Sequence, residues 1–153
     1  MESTGLGTTS RTAYLLDYNA VKTVTSDVSD NDDSFYRMDK ITGARSKNDG
    51  AWHNYHTIST FSSTCSAGMS QLYKYLGMVS STNAYGYDGS TIVTNSLFSV
   101  KYLISNKLLS TDSLRTYYNG YDGEFIYKNE YTLPAGYVSD GNLSEKWKPD
   151  TIY

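Results

Sequence analysis

The run Leu-Phe-Ser-Val-Lys-Tyr-Leu-Ile-Ser at residues 97–105 is the most apolar and β-branched stretch of an otherwise polar chain. Lys101 is its one charge, and Asn95-Ser96 and Asn106-Lys107 bound it with turn and cap chemistry. A membrane span needs about 20 such residues, so the run is too short to cross a bilayer. It reads instead as a helical turn over 95–100 feeding a buried strand over 101–105. As the most continuously apolar strand, it belongs at the centre of a sheet, with Tyr102 and Ile104 away from any exposed edge.

The rest of the chain must supply the core with unusual material. Only 39% of the residues are hydrophobic, and 16 Tyr stand against four Phe and two Trp. Much of the apolar area therefore carries a hydroxyl that needs a partner or a place at the surface. A net charge of −3, with the 13 Lys and Arg scattered, provides no basic patch and argues against a nucleic-acid partner. The single Cys, Cys65, excludes an intramolecular disulfide and reads as a small hydrophobe. No segment approaches a membrane span, and the first residues lack a basic start and an apolar stretch. Taken alone these facts point to the cytosol; they equally fit a loop domain cut out of a larger protein.

Around the central run, the other elements follow from spacing. Residues 1–9 read as a flexible lead. Ser10 is a candidate N-cap, and Tyr14, Leu15, Tyr18, Val21 and Val24 recur at near three-and-four spacing, predicting one amphipathic helix to about Thr25. The acidic run 26–34 is then expected to break it. Asp30, Asp32 and Ser34 alternate as calcium ligands do, but Phe35 and Ile41 stand where such a loop needs Gly and Glu. Residues 35–39 alternate as a half-buried strand, with Phe35, Arg37 and Asp39 on one face. A polar loop over 40–50 ends in Asn48-Asp49-Gly50, and 58–61 forms a second candidate strand. Ser66 caps a helix to Leu76 that Gly77 stops. Gly-Tyr-Asp-Gly occurs at 86–89 and 120–123, read both times as an Asp-Gly turn. Residues 106–115 read as a loop with a short helix, 125–128 as a strand, and 136–139 as a last strand beyond Pro134. From Asp140 to Tyr153 periodicity is lost, marking a tail or an edge. The expectation is a single α+β domain over 10–139, a small mixed sheet of about four strands packed against two or three helices.

Candidate chemistry lies in the loops. His53 and His56 are the only histidines, too few with one Cys for a zinc site, so no metal is expected. Ser62-Ser63 lacks the Gly-x-Ser-x-Gly elbow of a hydrolase; a hydrolase reading would need Ser62 within about 3 Å of a histidine. Three polar, aromatic-rich loops stand out: 48–56, 62–66 and 83–88. The first is the preferred partner of the third in a common cleft, because Asp49, Trp52 and both His combine charge, a stacking ring and titratable imidazoles. A free-standing carbohydrate-binding module is the alternative, and it would require Trp52, Tyr55, Tyr85 and Tyr87 on one open face.

The order of short motifs carries more than any one of them. Phe35-Tyr36-Arg37, Asn48-Asp49, Phe61-Ser62-Ser63, Leu76-Gly77, the 96–105 run, Ile126-Tyr127-Lys128-Asn129 and Leu133-Pro134-Ala135-Gly136-Tyr137 follow one another at spacings that resemble the large outside-facing domain of the bacterial YfhO membrane-protein family. The resemblance spans about Tyr14 to Val138. It implies a multi-spanning protein similar to glycosyltransferases that use a polyprenyl-phosphate-linked sugar, acting on teichoic-type cell-envelope polymers of Gram-positive bacteria. This chain would then be a domain on the extracellular face of the cell membrane, itself soluble, partnered by its own transmembrane region and, through the intact protein, by the lipid-linked sugar and the polymer. The acidic residue held responsible for catalysis in such transferases sits in an early outside loop, and no residue here matches it. No catalytic residue, metal or cofactor is therefore assigned to this chain. Arg37, Asn48, Asp49, Trp52, His53, His56 and Tyr85 are the candidate ligand-binding residues.

Overall fold

The structure, a computed structural model, describes Ser10, Thr12 and residues 15–136. The lead, the end of the expected strand at 136–139, and the tail fall outside the described residues. Helix α1, Tyr18–Asn31, buries Ala20, Val21, Val24 and Val28 along one stripe. Valines are poor helix formers in isolation, so burial of the stripe, not propensity, sustains this helix. The acidic run does not break it at residue 26. Val28 continues the stripe four residues after Val24, Asp27 and Asp30 point to solvent, and Asp32 closes the helix in an extended conformation.

Strand β1, Arg37–Lys40, lies parallel to β4, Val100–Ser105. On the other side β4 pairs antiparallel with β6, Glu124–Asn129, and β5, Arg115–Tyr121, completes the order β1-β4-β6-β5. The 97–105 run is therefore central, as its composition requires: Tyr102 is 2% exposed and Ile104 0%. The helical turn before it sits three residues earlier than expected, as α4, Ile92–Leu97, opened by a Thr91–Thr94 capping box. β5 has no counterpart in the sequence reading. At the sheet edge it alternates weakly and carries Asn119-Gly120, but the turn that creates it is legible, since Asp122 (φ 47°) and Gly123 (φ 80°) both take the left-handed conformation of a two-residue hairpin.

Side-chain alternation divides the interior into two layers. Met38, Tyr102, Ile104 and Ile126 meet the valines of α1 on one face. Leu103 and Tyr127 on the other, joined by Val100 across the register shift between β1 and β4, meet Ile58, Tyr73 and Met78. That second layer is built from the short strands β2, Thr60–Phe61, and β3, Ala84–Tyr85, with α3, Ala67–Tyr75, whereas the short helix α2, Asp49–His53, packs against α1 and β1. α3 follows its sequence signals, with Ser66 Oγ accepting from the Met69 amide and Gly77 at φ 75°.

Candidate functional site

Strand β1 places two adjacent ionisable side chains inside the protein, on opposite faces. Lys40 lies on the α1 side, its ammonium 2.8 Å from both Asp17 Oδ2 and Glu124 Oε1, while Arg45 Nη2 reaches Asp17 Oδ1 at 2.8 Å. Burial raises Asp17, but the hydrogen bond and charge of Lys40, with Arg45 behind it, outweigh that and hold the carboxyl below its ordinary range. Glu124 goes the other way, pushed up by burial more than Lys40 brings it down. Asp17 therefore spends its side chain on the sheet rather than on capping α1. Asp39 faces the second layer. Its carboxylate accepts from Thr57 Oγ1 at 2.6 Å, Ser59 Oγ at 2.9 Å and the Ile58 amide at 3.2 Å, and Ser59 Oγ in turn accepts from the Tyr87 amide at 3.0 Å. Burial nevertheless raises Asp39 to about 6.

Between these charges runs α2 and its sharp exit. Asn54 is left-handed at φ 60°, and the Tyr55 amide donates back to Gly50 at 2.9 Å. A Cβ at Gly50 would stand 2.4 Å from Thr57 Cγ2, so the return requires glycine there. The turn leaves His53 stacked between two tyrosines, 5.7 Å from the Tyr18 ring and 6.3 Å from that of Tyr55. His53 is 4% exposed and neither ring nitrogen has a hydrogen bond. Burial keeps its pKa below the usual histidine value, so it is neutral at pH 7. The His56 backbone carbonyl accepts from the Met38 amide at 2.7 Å, and its ring stacks on Phe35 at 5.5 Å.

These residues wall a cleft of about 660 Å³ between α1 and the 53–56 segment, lined among others by Tyr18, Phe35, Tyr36, Tyr55, Asp32 and Asp33. A second cleft of about 390 Å³ lies across Tyr55, bounded by Asp39, Asp49, Lys47, Tyr87 and Asp88.

The expected site residues divide between these places. His53 and His56 share the larger cleft, and Trp52 packs edge-on against Tyr18 at 5.4 Å. Asp49 lines the smaller one while accepting from the Arg45 and Ser46 amides, both at 2.9 Å. The 48–56 and 83–88 loops do meet, but through Asp49, Tyr55, Tyr87 and Asp88 rather than through the histidines. Arg37 donates to the Phe98 carbonyl at 2.7 Å. Asn48 clamps Phe61, accepting from its amide at 2.8 Å and donating to its carbonyl at 3.0 Å. Tyr85 packs on Tyr73 at 4.6 Å in the second layer. The rings required for an open stacking platform are thus parted: Trp52 on Tyr18, Tyr55 on His53, Tyr85 on Tyr73, and Tyr87 hydrogen-bonded by Asn95 at 3.0 Å. The Ser62 hydroxyl is engaged with Thr64 at 3.1 Å. Among the described residues no three His, Cys, Asp or Glu side chains are grouped to hold a metal ion.

Tyr18, Asp39, Lys40 and Glu124 also form the site, with little in the sequence to mark them. The one sequence signal was a charged pair, Asp39-Lys40, ending a strand that is otherwise half apolar.

The molecule so described is a small α+β domain, with a mixed sheet between one long helix and a layer of short elements, and an aromatic and polar cleft beside that helix. No helix among the described residues is long and apolar enough to cross a membrane. Over residues 2–150 the chain matches the family model described as bacterial membrane protein YfhO, and it belongs to that family. No curated protein and no solved structure matches it.

Proposed function

We propose that this chain is the outside-facing domain of a multi-spanning, glycosyltransferase-like membrane protein, and that it holds or supports the acceptor while a sugar passes from a polyprenyl-phosphate donor to a teichoic-type envelope polymer. The observation that carries this reading is the larger cleft in a domain of a membrane-protein family. Its walls are stacked rings and short polar side chains, the lining that suits a hydroxyl-rich ligand. The catalytic acid belongs to another part of the parent protein, so this chain acts by positioning. His56, on the rim, is the contact residue of choice, and Trp52 supports the wall from behind Tyr18. Arg37, Asn48, Asp49 and Tyr85 serve the reading indirectly, by shaping the loops around the cleft.

The test is His56→Ala and Trp52→Ala in the intact membrane protein, with polymer glycosylation measured in cells or vesicles and the melting temperature measured on the 153-residue chain. Glycosylation falls with His56→Ala at unchanged melting temperature if the cleft holds the acceptor. Full glycosylation with both variants places the acceptor elsewhere.

A further inference from the structure

One cation and two acids are enclosed together at the end of β1. The Lys40 side chain is 1% exposed and that of Glu124 6%, and Lys40 Nζ stands 2.8 Å from both Glu124 Oε1 and Asp17 Oδ2. Glu124 Oε2 is buried with no hydrogen-bond partner. Mutual attraction offsets the removal of such ions from water only in part, and a simple ion pair asks for one acid, not two. Arg45 stands on the other side of Asp17, its Nη2 2.8 Å from Oδ1.

These groups are the reactants of an amide. A lysine amine in a water-poor site is a nucleophile once it gives up a proton, and contact with one carboxyl group supplies the proximity that the same condensation lacks in water. The Lys40 proton that keeps Asp17 ionised has only to travel along their hydrogen bond to leave an amine and an uncharged acid. The two acids are not equivalent. Burial pushes Glu124 up, which suits it to take and return a proton. Asp17 has the Arg45 guanidinium beside the oxygen on which negative charge would gather, whereas Glu124 Oε2 has nothing comparable.

We propose that Lys40 and Asp17 join in an intramolecular isopeptide bond, with Glu124 as the catalytic proton carrier and Arg45 beside the oxyanion. The ammonium first passes one proton to Asp17 Oδ2. The electron pair freed on Nζ then attacks Asp17 Cγ, and the carbonyl pair moves onto Oδ1, next to Arg45. Glu124 takes a second proton from the nitrogen and hands it to Oδ2. As the carbonyl re-forms, the Cγ–Oδ2 bond breaks and Oδ2 leaves as water. One ammonium and one carboxylate thus become one neutral amide and one water, with no oxidant and no cofactor. The amide N–H still faces Glu124 and its oxygen still faces Arg45, so the product keeps the partners of the reactants. The bond joins positions 23 apart, ties the residue before α1 to strand β1, and gives a covalent staple to a chain whose single Cys cannot form a disulfide within it.

Mass spectrometry of the 153-residue chain, kept folded at neutral pH for a prolonged period and then denatured, tests this. The wild-type chain is expected to be one water lighter than its sequence, and trypsin, blocked at Lys40, is expected to release residues 12–22 joined to 38–45. Lys40→Arg and Asp17→Ala keep the full sequence mass. Glu124→Gln forms the bond about a hundredfold more slowly, with its fold checked by its amide NMR spectrum. Should that variant not fold, the mass and cleavage pattern of the wild type decide alone. Full sequence mass in the folded wild type overturns the inference. So does a water lost without the joined peptide, as ring closure at an Asp-Gly step would give, or a link from Lys40 to the peptide that holds Glu124. Condensation in folded Glu124→Gln at the wild-type rate overturns it as well.

Discussion

On one face of the sheet a single helix lays Val21, Val24 and Val28 against Met38, Tyr102, Ile104 and Ile126. On the other, two-residue strands, two short helices and their loops gather around Tyr73 and Leu103. The first face is held by area removed from water, spread over a continuous stripe. The second has apolar contacts too, but its pieces are too short to register themselves and are located by particular polar atoms. Asp39 fixes the 57–59 turn and, through Ser59, the loop at Tyr87. The Tyr73 hydroxyl donates to the Ile58 carbonyl at 2.6 Å, and Asn48 holds Phe61. A tyrosine-rich composition is workable here because the hydroxyls become fasteners rather than burdens.

The comparison breaks most visibly at Ile104→Ala. A fully buried side chain between α1 and the central strand is removed, and the expected cost is about 2–5 kcal/mol in denaturant unfolding, with protection lost over the whole sheet. Asp39→Ala comes next. It strips three donors of their acceptor for an expected loss of about 3 kcal/mol, and hydrogen exchange rises at residues 57–59 and 87 before it rises in α1. Equal loosening of both faces would show that the second layer is not fastened as described.

Asp39 also provides a pH signature. Its folded pKa, about 6, lies above its unfolded value near 3.9, so the folded state binds the proton more tightly. The stability this contributes is fully present below the unfolded value and is lost as pH rises through about 6. Asp17 and Asp32, both lowered, have the opposite dependence, so the quantity to measure is the difference between wild type and Asp39→Asn across pH 4–7. That difference shifts in favour of the variant as pH rises. A flat difference refutes the buried, proton-binding Asp39.

Tyr73→Phe removes one hydroxyl and one hydrogen bond, and the Ile58 carbonyl loses its partner. About 1 kcal/mol is expected, detectable as a lowered denaturation midpoint at unchanged slope. The smallest effect belongs to His56→Ala. The side chain is exposed and stacks only on Phe35, so stability should stay within about 0.5 kcal/mol. A larger loss would mean that the cleft rim supports the fold, and a change in glycosylation could then no longer be read as lost contact.

Residue order by itself determined the central strand, the valine face of α1, the α3 boundaries at Ser66 and Gly77, the Asp-Gly hairpin and the family, because each depends on neighbours in sequence: a periodicity, a cap, a turn dipeptide, a succession of motifs. Local polarity does not mark where α1 ends, since only the sheet beneath it reveals that Val28 still faces the core. The edge strand β5 is defined by its pairing with β6, not by any alternation of its own. The cleft lay further still from local reading. Tyr18 reaches His53 across 35 residues of chain, and Lys40 finds Glu124 at a separation of 84. Whether an aspartate or a histidine is buried, paired or left without a bond is decided by what packs on it from distant segments, and burial is what moved Asp39 upward and His53 downward from the values their residue types carry in water.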